Sequence, residues 1–298
     1  MSWRETAFIL GEGLFFTLSG SFGGERELEV WADSPDRTLT QLERLKSLYL
    51  LPELRRPDVA QFFVLTVSQR GIEGRRITLP PSNLDPRERE LHYGREFCDW
   101  DRWFQKNLHQ AKTGLTILQG EPGTGKTSYL RHLVYELRAS HCFYYLPVTA
   151  YPMLAAPSTV DFWLSENEFH GEKQKIAIME DAETLLMERA ADNHDSLSNL
   201  LNIADGFLGA VLKLHLICTV NTPIEKLDPA VTRPGRLLAH HTFKRLSSKE
   251  AQLLAKAKGL SLPDQESYSL AEIYAQDQQT FFVTPVGSVG FAHIKKND

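Results

Sequence analysis

Long apolar runs are what this 298-residue chain most plainly lacks. No stretch approaches the roughly 18 consecutive apolar residues of a membrane-spanning helix, so no membrane span is expected. Cysteine is scarce. Cys98, Cys142 and Cys218 are far apart and without C-x-x-C spacing. That pattern argues against a disulfide framework or a zinc site, and predicts buried thiols in a reducing, cytoplasmic setting. There is no excess of positive charge: 33 Lys and Arg stand against 38 Asp and Glu, a net charge of -5. Without a basic stripe or a helix-turn-helix signal, nucleic acid is not the expected partner. The amino terminus, MSWRETAFILGEGLFF, carries an early Glu and no clean apolar segment with a cleavage site. It reads as the start of a folded domain.

What is present concentrates in residues 115 to 129, LTILQGEPGTGKTSY. Leu115, Ile117 and Leu118 read as a buried strand, and a helical segment follows from Ser128 to Arg138. Between them Gly120, Glu121, Pro122, Gly123, Thr124, Gly125, Lys126 and Thr127 fit the G-x-x-x-x-G-K-[ST] pattern. Glycines at 120, 123 and 125 let backbone N–H groups curl around phosphates without Cβ clashes. Lys126 brings positive charge to the β and γ phosphates, Thr127 offers a hydroxyl to Mg²⁺, and the helix N-terminus at Ser128 favours the anion. The expectation is a site for a nucleoside triphosphate, with ATP and Mg²⁺ as cofactors.

Three later stretches are candidates for the same site. Residues 175 to 181, KIAIMED, read as a strand ending in Glu180 and Asp181. Carboxylates at the C-terminal edge of a parallel strand suit a metal–nucleotide site. One can hold the metal while its neighbour orients or deprotonates the attacking water. Glu183 is a weaker candidate beside them. Residues 214 to 221 read as a further strand ending in Asn221, whose amide suits a γ-phosphate or lytic-water contact. Arg233 and Arg236 flank a Pro-Gly turn and project from one loop toward phosphate, their own or a neighbour's.

Around this centre the chain divides into three expected regions. Residues 1–80 read as a small α+β module: short strand-like runs punctuated by glycines, and a helix over 38–51 whose Leu39, Leu42, Leu45 and Leu48 stripe reads as core packing. Pro80, Pro81 and Pro86 mark a linker. Residues 81–245 read as the nucleotide-binding α/β domain, opened by one aromatic-rich helix over 87–110. Residues 246–298 read as a small helical lid, starting at Ser247 to Glu250, with an apolar tail at Phe281 to Phe291 that packs back on the body.

GEPGTGKT at 120–127, IAIMEDAE at 176–183, ICTVNTP at 217–223 and LDPAVTRPGRL at 227–237 together resemble the AAA family of the AAA+ ATPases. The resemblance spans about residues 91–244. It implies a P-loop NTPase fold with a parallel sheet flanked by helices and an ATP-hydrolysing homo-oligomer, hexamer or heptamer. It also implies a protein substrate or effector bound through the N-terminal module. By it, Lys126 and Thr127 are Walker A, Glu180 and Asp181 the Walker B pair, and Asn221 sensor 1. Arg233 and Arg236 fall on the arginine fingers that complete an adjacent subunit's site, and His92, Tyr93 and Gly94 on the adenine-contacting segment. Walker B is Glu-Asp where the usual order is Asp-Glu, which leaves open which carboxylate serves metal and which serves water. Position favours Glu180 for metal. The stretch LPVTAYPMLAAPSTVDFW has no aromatic–hydrophobic–Gly pore loop. Both departures are similar to the branch of the family that holds the mitochondrial translocase of the folded Rieske protein. The implied function is remodelling or translocation of a protein partner. The alternative is a regulatory ATP-dependent switch gating a separate effector.

Overall fold

The computed structural model describes residues 2–11, 13–21, 26–49, 59–68, 71–82, 84–110, 113–156, 158–170, 173–187, 197–198, 200–202 and 207–276. The expected tail at Phe281 to Phe291 lies outside them. The chain divides into two units, Met1–Asp58 and Val59–Asp298.

The first unit holds β1 (Ser2–Gly11), β2 (Leu14–Ser21) and β3 (Arg26–Ala32) in one antiparallel sheet, followed by helix α1 (Pro35–Tyr49). Helix α1 packs on β3. Its leucine stripe is only partly core: Leu45 is buried, whereas Leu39 is 60% exposed. Three short strands do not cover the whole apolar side of a four-turn helix.

The second unit begins earlier than the expected boundary at residue 80. Strands β4 (Ala60–Ser68) and β5 (Gly71–Leu79) form an antiparallel hairpin. The hairpin joins the nucleotide-binding sheet, because β4 runs parallel to β7 (His141–Tyr145) with Phe63 opposite Tyr144. Strand-like runs at Gln61–Val67 and Arg76–Leu79 pointed to β4 and to the end of β5, but Gly71 and Gly74, expected as turns, lie inside β5, and no run told which sheet would take them. With β6 (Gly114–Gly120), β8 (Gln174–Met179), β9 (Leu214–Val220) and β10 (Leu237–Phe243), the sheet order is β10-β6-β9-β8-β7-β4-β5. All its pairings except β4–β5 are parallel.

A parallel sheet covered on both faces needs apolar side chains in both directions, and these strands have them. Leu115, Ile117, Leu216, Cys218 and Val220 face one core together with Trp163 and Leu185. Leu118, Phe143, Ile178 and Ile217 face the other, together with Phe97, Phe104, Tyr129 and Leu133. The aromatic residues before the phosphate loop therefore pack as expected, except Trp103, which is 47% exposed. They lie on two helices where one was expected: α2 (Pro86–Tyr93) and α3 (Arg95–Gln110). Gly94 caps α2 at φ 84, a left-handed backbone value that stops the helix and turns the chain.

Helices α4 (Lys126–Leu137) and α5 (Ser158–His170), the short α6 (Glu183–Leu186) and α7 (Phe207–Leu212) complete the body. The lid follows β10: β11 (Leu246–Ser247), α8 (Ser248–Lys258), β12 (Ser267–Tyr268) and α9 (Leu270–Ala275), around Leu246, Leu254, Tyr268 and Ile273. Both lid helices open on a complete capping box, Ser247 with Glu250 and Ser269 with Glu272.

Several histidines are buried in this body as neutral rings. Burial lowers His215 to about 3, and His141 and His241 to about 4, from the ordinary value of 6.5. A depressed histidine value means that the unfolded chain takes up protons first as pH falls below about 6.5. Stability should therefore drop from pH 6.5 down to about pH 3, by roughly 2 kcal/mol from His215 alone at pH 5. Urea unfolding between pH 8 and pH 5 measures this; an unchanged midpoint would contradict the buried neutral rings.

Candidate functional site

The parallel strands deliver their carboxyl ends to one edge, where ligands bind in open α/β sheets. There β6 runs into the glycine-rich loop, β8 into Glu180 and Asp181, and β9 into Asn221. A cleft of about 640 Å³ opens along this edge, floored by the loop and by Lys126, Thr127, Glu180, Asp181 and Asn221. Lid residues Leu270, Ala271 and Tyr274 also line it.

The loop is held by packing as well as by its own turns. Gly125 has φ 96, and a Cβ there would lie 2.6 Å from Leu270 Cδ1 and 2.9 Å from the Tyr93 ring. Only glycine satisfies the backbone and both neighbours. The Thr124 hydroxyl donates to Glu121 O at 2.7 Å, and the lid's Ala271 N–H donates to Gly123 O at 3.0 Å.

The polar groups form two connected sets. The Lys126 ammonium donates to Gly120 O at 2.6 Å, Glu121 O at 3.1 Å and Asn221 Oδ1 at 2.8 Å. Asn221 in turn donates from Nδ2 to Asp181 Oδ1 at 3.0 Å. Burial pulls the lysine below its usual range, opposed by the nearby Asp181, Glu183 and Glu180. In the second set the Thr127 hydroxyl donates to Glu180 Oε1. The sequence-predicted Walker A, Walker B and sensor residues thus converge at one place. The geometry divides the acidic pair: Glu180 faces the threonine hydroxyl, while Asp181 faces the sensor amide. Asp181 adopts φ 50, with its N–H donating to Thr219 Oγ1 at 3.0 Å.

Oxygen ligands of this kind fit Mg²⁺. It takes one or two carboxylates together with substrate phosphates, not a dedicated protein cage. Among the described residues no group of three or more His, Cys, Asp or Glu forms such a cage.

Two expected positions differ. Of the expected adenine-contacting segment, His92 lines the cleft and Tyr93 and Gly94 do not. The Tyr93 ring packs behind the loop against Phe97 and Phe243 at 4.6 and 5.4 Å, and its hydroxyl donates to Gly125 O at 3.0 Å. His92 instead meets the lid, with Nε2 2.6 Å from the Tyr274 hydroxyl. Tyr145 also lines the cleft. No local pattern singled out Tyr274 or Tyr145, because each reaches the site only through the folding of lid and sheet. Arg233 and Arg236 lie away from the cleft. They precede β10, whose Leu237 pairs with Leu115 at the start of β6, and Arg236 O accepts from Leu115 N at 2.8 Å.

Comparison with known proteins agrees with this geometry. The family model described as "ATPase family associated with various cellular activities (AAA)" matches residues 116–245. The mitochondrial chaperone BCS1 of Bos taurus is 28% identical over 228 residues, covering 71% of this chain and 50% of that protein. Its Homo sapiens counterpart is 27% identical over 221 residues, covering 68% and 48%. An AAA-ATPase of Arabidopsis thaliana is 30% identical over 176 residues, covering 54% and 36%. The chain thus spans about half the length of the BCS1 relatives. Among the described residues no helix is long and apolar enough to cross a membrane. With its mostly parallel sheet and converged nucleotide site, this chain matches the AAA ATPase family over residues 116–245, and the proteins it resembles include the BCS1 chaperones and plant AAA-ATPases.

Proposed function

We propose that the protein is a Mg²⁺-dependent ATPase that assembles into a homo-oligomeric ring, a hexamer or heptamer, and uses hydrolysis to remodel or move a protein partner held by the N-terminal unit. The observation that carries the ring is the placement of the arginines. Arg233 and Arg236 sit at the amino edge of the sheet, whereas the phosphate loop lies at the carboxyl end of β6. At about 3.3 Å per residue along a strand, the two ends are roughly 20 Å apart, beyond the reach of an arginine to its own γ-phosphate. A second copy bringing this edge to the first copy's cleft supplies the missing guanidinium groups.

Within one subunit the loop and Lys126 hold the phosphates, and the base lies toward His92 and Tyr274. Thr127 and Glu180 would hold the metal, which would supply positive charge to the phosphates. Asp181 orients and deprotonates the attacking water, and Asn221 links that carboxylate to Lys126. The chaperone relatives support protein as the substrate class, and free thiols at Cys98, Cys142 and Cys218 suit a reducing, cytoplasmic setting.

The test combines mass and turnover. Light scattering with ATP should show a ring for the wild type and for Asp181→Ala. Arg233→Ala should bind ATP as the wild type does, but lose turnover by about 10³-fold or more, the range of trans-acting arginines. A monomer under every condition would remove the ring and leave the gated-switch alternative. Parallel loss of binding and turnover in Arg233→Ala would remove the trans role.

A further inference from the structure

Asn221 is the pivot of the site, and its amide must stay within hydrogen-bond distance of both Lys126 and Asp181, as it does at 2.8 and 3.0 Å, to link them. Yet Asn221 lies in an exposed turn just past the end of β9. A short polar side chain in a surface turn has little packing to hold it, so its position depends on how the turn's backbone is tethered.

Two side chains from flanking elements supply tethers. Glu183, the first residue of α6, accepts the backbone N–H of Asn221 itself on Oε1. On the other side Gln119, next to last in β6, accepts the N–H of Ile224 on Oε1 at 3.0 Å. His240 on β10 reaches the same Gln119 oxygen from Nε2 at 3.2 Å. Because Ile224 donates to that atom, it is the amide oxygen, and the histidine contact is an Nε2–H donation. Neither Glu183 nor Gln119 is among the side chains lining the cleft.

We infer that Glu183 and Gln119 are positioning residues for the ATPase reaction. They fix the Asn221 turn from its two sides and so set the Lys126–Asn221–Asp181 linkage without touching nucleotide. Glu183 acts as an acceptor at a defined N–H, and its charge is secondary. Glutamine at 183 preserves the acceptor oxygen, whereas alanine removes it. This inference rests on the proposed ATP hydrolysis only for its kinetic readout.

The experiment uses the full chain in four forms: wild type, Glu183→Ala, Glu183→Gln and Gln119→Ala. The backbone amide resonance of Asn221 is followed by NMR with selective asparagine labelling. ATPase rates and the affinity for a fluorescent ATP analogue are measured on the same samples. In Glu183→Ala the Asn221 amide proton should move upfield. Its kcat should fall by about tenfold to a hundredfold, the effect of a misplacement near 1 Å, with analogue affinity within about threefold. Glu183→Gln should restore the amide shift and most of kcat. Gln119→Ala should lower kcat in the same direction by a smaller factor. An Asn221 amide unmoved in Glu183→Ala overturns the tether. A Glu183→Gln variant as slow as Glu183→Ala overturns the acceptor role in favour of charge. A wild type without turnover would refute the ATPase reading alone, since the amide shift reports on the tether regardless.

Discussion

Asp181→Asn should bind ATP with nearly unchanged affinity and hydrolyse it about 10² to 10⁴ times more slowly, the span expected for loss of a general base. The side chain is close to isosteric, and its oxygen can still accept from Asn221 Nδ2, as Asp181 Oδ1 does at 3.0 Å. What is lost is the charge that draws a proton from water. Glu180→Gln should behave differently. Glu180 accepts from the Thr127 hydroxyl, so weakening it should raise the Mg²⁺ concentration needed for half-maximal turnover and weaken Mg–ATP binding. Isothermal titration with Mg–ATP, followed by turnover assays over a magnesium series, separates the two. If Glu180→Gln proved to be the tight-binding, inactive variant while Asp181→Asn kept turning over, the roles assigned to this Glu-Asp pair would be exchanged. The outcome matters because the order of the two carboxylates is reversed from the usual Asp-Glu. The backbone offers a physical reason for the proposed order. At φ 50, Asp181 is turned out of the strand's alternation toward Asn221. A non-glycine residue keeps such a conformation only where its surroundings hold it.

The second large effect is on stability. Arg89→Ala should cost about 3–5 kcal/mol, because it leaves the Asp101 carboxylate without its cation. That carboxylate is 1% exposed on α3. It accepts from Arg89 of α2 at 2.7 Å, from the Tyr129 hydroxyl of α4 at 2.6 Å and from Gln105 at 2.9 Å. Without the guanidinium, only neutral donors face a buried charge. At about 2–4 °C per kcal/mol for a domain of this size, the midpoint of thermal unfolding should fall by roughly 10 °C. Replacing both Arg89 and Asp101 with leucine should recover only part of the loss, because it removes the buried charge but leaves the buried Tyr129 hydroxyl without its acceptor. A fall of less than about 2 °C in Arg89→Ala would mean that water reaches Asp101 and that the pair is not buried in solution. The network also ties α2 and α3 to the helix that follows the phosphate loop. Tyr129 lies in the first turn of α4, directly after the phosphate loop, and its ring stands edge-on to Tyr93 at 6.4 Å.

Much of the site was legible before any fold was drawn, for a local reason. The phosphate loop needs glycines, a lysine and a hydroxyl at fixed positions within eight residues, so Gly120 to Thr127 carry their chemistry in plain order. Apolar runs ending in Glu180 and Asn221 likewise announced buried strands with polar ends. Both lid capping boxes are four-residue signals, and that at Ser247 was read from the sequence. These features are decided by neighbours along the chain.

The rest was decided by partners far along it. Apolar runs pointed to β4 and the end of β5, but pairing with β7 is a choice among edges that no local pattern encodes. It moved the unit boundary from residue 80 to Asp58. The adenine-contact expectation at His92, Tyr93 and Gly94 followed position alone. In the fold, helix α2 turns Tyr93 behind the loop and presents His92 to the lid. Glu183 and Gln119 reach the Asn221 turn only because β6, β8 and β9 lie side by side. The sequence by itself determined the chemistry of nucleotide binding, since phosphate recognition is built from adjacent backbone and side-chain groups. Only the tertiary structure decided which carboxylate faces Asn221 and where the arginines stand. Those are distances between strands, set by sheet order and burial and not by spacing along the chain.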